Sequence, residues 1–405
     1  MNNLDLSPLK VRMILSMLLL VMPIVAMAVD LIAPSLPAIA KGLQVSNGIA
    51  KNIISLYLLG YALGNCVTGF LTDAMGRKRI LRVGLVVFVL ASLLPVLFPH
   101  ITVVLFARLL QGLSIGGVAV IVRTILSDLL CGERLVRWGI LLGTMFGLGP
   151  ILGPLIGGYL QFYFGWQACF LFFAVALSIL SVILFILIPE THFNTHALKY
   201  QKIKQDVSRV LKHTQFMGLT LITGVLYSLI ISFNTLGPFL IQNTLHYSSV
   251  FFGHLALMMG LAFLAATFVC QYLLRSLTVE RILLIFIHLF LSVAAIGIVL
   301  GYTIGNNVIL LGFVSSAMFF SCGLMFPMSV GKVLSLFRDI PGSATAVMYL
   351  INILMTSLSA FLLSFVRADS VAHIFWVYGI LLTLCALFYW KIFRGFSTIS
   401  SEISG

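Results

Sequence analysis

Charged residues are scarce in this sequence, and hydrophobic residues are correspondingly abundant. Of the 405 residues, only 9% are charged and 61% are hydrophobic, and the mean hydropathy is +1.15. A water-soluble domain cannot hide that much apolar surface, because a large part of any compact chain faces water. The remaining apolar surface must face lipid, which excludes an ordinary soluble protein.

Sequence signatures of catalysis, cofactor binding and metal binding are lacking as well. The chain has no G-x-x-x-x-G-K-[ST] loop and no extramembrane stretch long enough for a nucleotide-binding domain, which excludes an ATP-driven pump within this chain. The six cysteines are scattered singly, without the spacing of a disulfide framework or a metal site. We therefore expect no enzyme activity, no cofactor and no bound metal.

Apolar segments long enough to cross a bilayer recur along the whole chain. A hydrocarbon core of about 30 Å requires about 20 apolar residues per helix. Twelve segments reach this length, at 11–33, 50–72, 79–98, 102–126, 138–160, 168–188, 215–240, 250–273, 282–303, 307–330, 343–366 and 371–392. The sequence therefore predicts an all-α membrane protein with twelve transmembrane helices. Its predicted parts are an N-terminal six-helix bundle at 1–191, a cytoplasmic linker at 192–213 and a C-terminal six-helix bundle at 214–405.

The basic residues lie in short clusters at alternate ends of the predicted helices. The net charge is +13, but no continuous basic face appears, so the sequence does not favour nucleic acid as a partner. The densest clusters lie between predicted helices 2 and 3 and in the segment 192–213. The positive-inside rule then places both termini and this segment in the cytoplasm, and we expect a bacterial inner-membrane protein.

The loop after the second predicted helix has a regular pattern of small, acidic and basic residues. It reads Gly69-Phe-Leu-Thr-Asp73-Ala-Met-Gly76-Arg77-Lys78-Arg79-Ile-Leu. This pattern resembles the G-x-L-x-D-R-x-G-R-[RK]-x-x-L signature of the major facilitator superfamily, except that Ala74 replaces the first arginine. The resemblance implies two pseudo-symmetric six-helix bundles that alternate between inward-open and outward-open states. It also implies a gating role for Gly69, Asp73, Gly76, Arg77 and Lys78.

The fourth predicted helix carries charges inside its apolar run and at its end. Arg108 begins an Arg-Leu-Leu-Gln-Gly stretch, and Arg123 and Asp128 follow near the cytoplasmic end. An arginine inside a span is costly, so it should face the bundle interior and have a partner. The superfamily has a matching R-x-x-x-G element that is tied to proton coupling in antiporters. The same resemblance implies that Arg123 and Asp128 complete a charge cluster with Asp73 and Arg77.

Asp30 is the only acidic residue placed within a predicted span. Helix 1 runs outward and helix 4 inward, so Asp30 and Arg108 are expected at similar depth in the outer half of the membrane. Two roles are open: a static ion pair that satisfies both charges, or a site that exchanges a proton for substrate. We favour proton exchange, because an ionisable residue inside the membrane is functional by default. A third reading places Asp30 near the outer interface, where water hydrates it.

The fifth predicted helix contains regularly spaced glycines and prolines. Small residues four apart let two helix backbones approach closely, and proline permits a bend. The segment from Gly149 to Gly158 fits g-x-x-x-G-P-x-x-G-G, the antiporter motif of exporting members of the superfamily, and this resemblance implies export. The D-x-x-x-P-x-x-P pattern of helix 1 and other short segments resemble the Bcr/CflA drug-resistance transporters. The motif residues are Gly149, Gly153, Pro154, Gly157 and Gly158.

Polar and aromatic side chains inside the apolar helices are candidates for the substrate cavity. An apolar cavity with few polar points suits amphipathic, weakly polar compounds. The candidates are Tyr57, Tyr61, Phe146, Tyr227, Asn234, His254 and Asn352.

Together these features predict a monomeric secondary transporter that exports a small organic compound in exchange for protons. Its expected partners are the small-molecule substrate, protons and the lipid bilayer. One alternative is a proton-coupled importer of a nutrient, an amino acid or a siderophore. Another is a transporter-like sensor that binds ligand without flux.

Overall fold

The computed structural model describes residues 7–190, 200–337 and 339–403. It describes the backbone without the side chains at 69–75, 200, 202–203 and 393–403. The predicted gate residues Gly69 and Asp73 are therefore described by their backbone alone, and the part 192–199 of the predicted linker lies outside the described residues. Every regular element in the described part is a helix, in agreement with the all-α prediction.

The helices divide between two compact units. Unit 1 comprises Met1–Leu198 with Ser248–His254, and unit 2 comprises Lys199–Tyr247 with Leu255–Gly405. The helices of unit 1 are α1 Pro8–Met27, α2 Leu36–Gly42, α3 Asn47–Met75, α4 Arg77–Leu97, α5 Ile101–Leu129, α6 Gly132–Phe164 and α7 Gln167–Leu187. Those of unit 2 are α8 Tyr200–Lys212, α9 Thr214–Phe239, α10 Ser249–Leu273, α11 Val279–Thr303, α12 Val308–Ser335, α13 Pro341–Leu363 and α14 Val371–Ile403. The first turns of α10 belong to unit 1, and the rest of this helix belongs to unit 2.

Eleven helices in the described part are long and apolar enough to cross a membrane. α3, whose described side chains end at residue 68, is not among these eleven, although its 29 residues make it about 43 Å long at 1.5 Å per residue. Lys51, Asn52 and Asn65 make it less apolar, and Lys51 is buried with 2% exposure. Asn52 and Asn65 are half-buried. With α3, the spans match the twelve predicted segments of a multi-pass membrane protein.

The first predicted helix, 11–33, is not continuous. α1 ends at Met27, the chain turns through 28–32, and a single 3₁₀ turn at Ala33–Ser35 leads into α2. Pro34 and Pro37 lack the N–H groups that an uninterrupted helix would need at these positions. Irregular backbone at membrane depth is tolerated where protein covers it. Leu31, Ile32 and Ala33 are accordingly fully buried.

α3 and α5 are in backbone contact through glycines on both helices. A Cβ atom added at Gly112 of α5 would lie 2.0 Å from Tyr57 O, and one added at Gly64 of α3 would lie 1.9 Å from Leu113 O. Any side chain at these positions would push the two helices apart. This close approach places the α3 backbone next to Arg108, one turn before Gly112.

α8 packs against α9 and α13 within unit 2, whereas the sequence analysis assigned its residues to the linker. Val210 is fully buried, and the Arg209 guanidinium lies 5.6 Å from the centre of the Phe337 ring. Arg209 also donates a hydrogen bond to Asp339 in the α12–α13 connection. The strongly amphipathic sequence of α8 thus covers part of unit 2 with its apolar face.

We expect the α8 attachment to weaken in acid but not between pH 6 and pH 8. The hydrogen bond from Arg209 lowers the pKa of the Asp339 carboxyl below its ordinary value. A carboxyl with a lowered folded-state pKa stabilises the structure above its unfolded-state pKa, and this stabilisation is lost as the pH falls through the folded-state value. Hydrogen–deuterium exchange in α8, corrected for the intrinsic rate, should therefore rise only below about pH 4. Both side chains are more than half exposed, so the rise should be small. If exchange in α8 of the Asp339→Asn variant rose in acid as it does in wild type, protonation of Asp339 would not be the cause.

Candidate functional site

Asp30 lies in the break between α1 and α2 and is only 3% exposed. α6 packs against this break through glycines. A Cβ atom added at Gly153 would lie 3.1 Å from Asp30 Cβ, and one added at Gly157 would lie 1.9 Å from Leu31 O. One added at Gly149 would lie 2.4 Å from Ala26 Cβ. Because α6 has no side chains at these positions, its backbone directly contacts the segment that carries Asp30.

The same stretch of α6 also contacts the first turns of α10, which belong to unit 1. Ser249 Oγ donates a hydrogen bond to Gly158 O at 2.9 Å, and a Cβ atom added at Gly158 would lie 2.5 Å from Ser249 O. A Cβ atom added at Gly253 would lie 2.8 Å from Pro154 O. The glycine motif predicted in α6 therefore forms two backbone contacts. One is with the break between α1 and α2, and the other is with the start of α10.

His254 faces Tyr159, an aromatic residue that directly follows the glycine motif. His254 Nδ1 lies 2.9 Å from Val250 O, so Nδ1 carries the proton in the neutral ring. Nε2 lies 3.5 Å from Tyr159 Oη, which is long for a hydrogen bond, and the two rings meet edge to face with centroids 5.7 Å apart. The sequence analysis did not single out Tyr159, although its position next to Gly158 was a signal.

Arg108 is fully buried in unit 1. Its Nε donates to Ile53 O at 3.2 Å, its Nη1 donates to Gln111 Oε1 at 2.9 Å, and its guanidinium lies 4.1 Å from the centre of the Tyr57 ring. Gln111 Nε2 in turn donates to Ser92 Oγ at 2.7 Å. Among the described residues, Arg108 Nη2 has no hydrogen-bond partner. A carbonyl, an amide and an aromatic face together compensate the buried charge.

An ion pair between Asp30 and Arg108 was one of the open roles, and the described partners of Arg108 do not include Asp30. The glycine contact between α3 and α5 provides the reason, because it brings the α3 backbone within reach of the guanidinium first. The sequence analysis missed the supporting residues Gln111 and Ser92. Gln111 was detectable, since it lies three residues after Arg108 and such residues are neighbours on a helix.

A charge cluster joins α4, α5 and the end of α7 in unit 1. Arg77 Nε lies 3.1 Å from Asp128 Oδ2, so these two predicted cluster residues do meet. The Arg123 guanidinium lies 5.9 Å from the centre of the ring of Phe146, a residue predicted to line the substrate cavity. The contacts of Asp73 lie outside the described side chains.

Glu190 caps the N-terminus of α4, a role that the sequence analysis missed. Its carboxylate accepts hydrogen bonds from the backbone N–H groups of Arg77 at 2.9 Å and Lys78 at 3.2 Å. The chain passes from α3 to α4 through Gly76 alone, at φ 85°, and a Cβ atom there would lie 2.7 Å from Glu190 Oε2. A carboxylate is favourable at a helix N-terminus because the first N–H groups are unpaired and carry partial positive charge. Glycine at position 76 allows both the turn and the close approach.

We expect Glu190→Ala to lower the free energy of unfolding by about 0.5–2 kcal/mol, the usual cost of removing a helix cap. Thermal unfolding of the detergent-purified protein measures this effect. Glu133→Ala is the matched control, because Glu133 lies in the first turn of α6, is mostly exposed and pairs only with Arg137 one turn away. Exposed pairs of this kind are worth little. Equal stability losses in the two variants would contradict the capping role.

The remaining cavity candidates lie in both units. In unit 1, Tyr57 is buried and Tyr61 is half-buried, with ring centroids 6.3 Å apart. In unit 2, Thr223 Oγ1 lies 3.1 Å from Asn352 Oδ1. The Tyr227 ring lies 6.3 Å from the Phe326 ring, and Asn234 is 3% exposed.

The units, the spans and the broken first helix define a multi-pass α-helical membrane protein. The family model of the Major Facilitator Superfamily matches residues 18–364. The chain therefore belongs to this superfamily, as its loop and helix motifs predicted, and family and fold are those of transporters rather than enzymes. A solved structure of a D-xylose–proton symporter has the same fold, with a TM-score of 0.74 and 15% identity over 95% of this chain and 98% of that one.

Several relatives carry names that refer to drug resistance, in agreement with the predicted resemblance. The chain is 32% identical to multidrug resistance protein D of Escherichia coli over 44% of its length and 45% of that protein. It is 26% identical to multidrug resistance protein MdtL of Vibrio parahaemolyticus over 85% of its length and 86% of that protein. An uncharacterized transporter of Rickettsia felis is 27% identical over 60% of each chain. The matches to the Escherichia and Rickettsia relatives thus span less than two thirds of those proteins.

Proposed function

We propose that this protein exports small organic compounds from the bacterial cytoplasm in exchange for protons. The observation that carries the proposal is the position of Asp30, a buried carboxylate in the break of the first membrane helix. Broken helices in transporters commonly hold substrate or coupling-ion sites. A carboxylate held there by the backbone of α6 can load a proton from one side of the membrane and release it to the other.

Arg108 is the second element of the proposed coupling. Its charge is buried and fixed by Ile53, Gln111 and Tyr57, and Nη2 has no partner among the described residues. A fixed cation without an acidic partner of its own favours a negatively charged neighbour over a neutral one. In the proposed cycle, Arg108 and Asp30 act at separate positions of unit 1, with Arg108 setting the electrostatic potential in which Asp30 exchanges its proton.

Two features support export rather than import. The glycine and proline positions of α6 fit the antiporter motif of exporting members of the superfamily, and they form the contact surface for the Asp30 segment. The names of several relatives refer to drug resistance, which is a consequence of export. The proposed substrates are therefore drug-like compounds or metabolites, with Tyr57, Tyr61, Phe146, Tyr227, Asn234, His254 and Asn352 as proposed cavity residues.

The charge cluster at the α3–α4 junction is the proposed gate. Gly76, Arg77, Lys78 and Asp128, with Asp73, would hold one conformational state, and Glu190 would fix the start of α4 for this purpose. The proposed orientation places both termini and the linker in the cytoplasm, since the densest basic clusters lie in the corresponding loops. We propose a monomer with an N-terminal bundle at 1–191 and a C-terminal bundle at 214–405.

Proton movement in proteoliposomes tests the proposal. The purified protein is reconstituted with a pH-sensitive dye in an acidic lumen, and drug-like compounds, amino acids and siderophores are added outside one at a time. Antiport of a compound raises the internal pH, because each inward step of the compound carries protons out. Symport carries protons inward with the compound and cannot raise the internal pH. Counterflow of a compound without any proton movement would overturn the proposed coupling.

A further inference from the structure

A groove lies between α10 and α12 in unit 2, where the first turn of α11 closes one end. Its volume is about 460 Å³, within the range of about 300–1,000 Å³ that is common for ligand sites. One wall is a single face of α10 with Cys270 and Gln271, continued by Leu274 just after the helix, and the other is a face of α12 with Met328 and Lys332. The walls are mainly apolar, and Lys332 is the charged residue among those that line the groove.

Basic residues lie next to the α11 end of the groove along the chain. Lys332 Nζ lies 3.1 Å from Glu280 Oε1, with both side chains about one third exposed. An ammonium group has three N–H donors, and the described contacts of Lys332 account for one. Arg275 directly follows the groove residue Leu274, and Arg281 lies two residues after the groove residue Val279; both side chains are exposed. The chain next to this end of the groove therefore supplies three basic groups and one acid.

Gly331 keeps the groove open. A Cβ atom added at this glycine would meet nothing within 4 Å, and Gly331 lines the groove one residue before Lys332. This differs from Gly323 on the same helix, where an added Cβ atom would lie 2.1 Å from Phe263 O. The glycine at 323 is needed for helix contact, whereas the glycine at 331 leaves space that another molecule can fill.

We propose that this groove binds an anionic phospholipid, with the phosphate at Lys332, Arg275 and Arg281 and one acyl chain along the apolar walls. Basic pockets between transmembrane helices hold the head groups of acidic lipids. On α10, Phe268 and Tyr272 are 66% and 69% exposed, so this helix presents large aromatic side chains on the surface of unit 2. A soluble anion would use the basic end but gain nothing from the apolar walls. The inference does not depend on the proposed transport function.

Native mass spectrometry of the full-length protein with added lipid tests the proposal. Phosphatidylglycerol should remain bound under conditions that remove phosphatidylcholine, and Gly331→Leu should reduce phosphatidylglycerol binding at least tenfold by filling the groove. Gly342→Leu is the matched control, since Gly342 is also exposed with nothing within 4 Å of an added Cβ atom. This variant should bind as much phosphatidylglycerol as wild type. Equal binding in Gly331→Leu and wild type would overturn the proposal.

A second variant keeps the test decisive if Gly331→Leu is unstable. Arg275→Gln combined with Arg281→Gln changes only exposed side chains, so the fold should persist while the preference for phosphatidylglycerol over phosphatidylcholine falls. An unchanged preference would overturn the role of the basic groups. Full competition by glycerol phosphate would also overturn the proposal, because a site for a soluble anion does not need the acyl chain.

Discussion

Asp30→Asn is expected to abolish proton-coupled transport while leaving a folded protein. Asparagine has nearly the shape of aspartate but cannot take up or release a proton in the physiological range. Asp30 packs against the α6 backbone at Gly153, and the amide can occupy the same space. Proton release driven by substrate in proteoliposomes should fall to the level of empty liposomes, whereas the yield and elution profile of the protein should match wild type.

Substrate counterflow separates proton coupling from substrate binding in this variant. Counterflow needs no net proton movement, so Asp30→Asn should retain exchange of labelled for unlabelled compound. Asp369→Asn is the matched control, because Asp369 is exposed in the α13–α14 connection, and its transport should remain at the wild-type level. Retained pH-driven efflux in Asp30→Asn would remove Asp30 from the coupling mechanism and leave it as a structural charge.

Gly157→Ala is expected to reduce both stability and transport strongly. The added methyl group would lie 1.9 Å from Leu31 O, a backbone atom that no side-chain rotation can move away. Either α6 or the break segment must shift, and overpacking of this kind typically costs about 1–3 kcal/mol. Because the same segment carries Asp30, the shift would also displace the proposed proton site. We expect a lower thermal unfolding temperature and a transport rate reduced at least tenfold.

Gly147→Ala provides the matched control on the same helix. A Cβ atom added at Gly147 meets nothing within 4 Å, so alanine fits there without strain. Alanine is also favoured over glycine inside a helix by up to about 1 kcal/mol. This variant should be at least as stable as wild type and fully active. Comparable losses in the two variants would show that α6 needs glycine for flexibility rather than for close contact at Gly157.

The spans, the glycine motif of α6 and the family were predictable because they depend on local sequence. Hydropathy identifies helices that lipid surrounds, and glycine spacing identifies the helix faces that approach a neighbour. The all-α fold and the superfamily membership are confirmed. The ends of elements were less predictable. The first helix breaks after Met27 because Pro34 and Pro37 lack the N–H groups of a continuous helix and because protein covers the irregular backbone, and hydropathy reports neither effect.

The partners of the charged residues were decided by the tertiary structure. Glu190 caps α4 at Arg77 across 113 residues of sequence, and no local pattern encodes that distance. Arg108 was expected at a similar depth to Asp30, and the contact between α3 and α5 at Gly112 brings Ile53 and Tyr57 to the guanidinium. The sequence by itself determined which residues lie in the membrane and which helices can touch. Which side chains meet was settled only by packing, because a buried charge takes the nearest suitable partner in three dimensions.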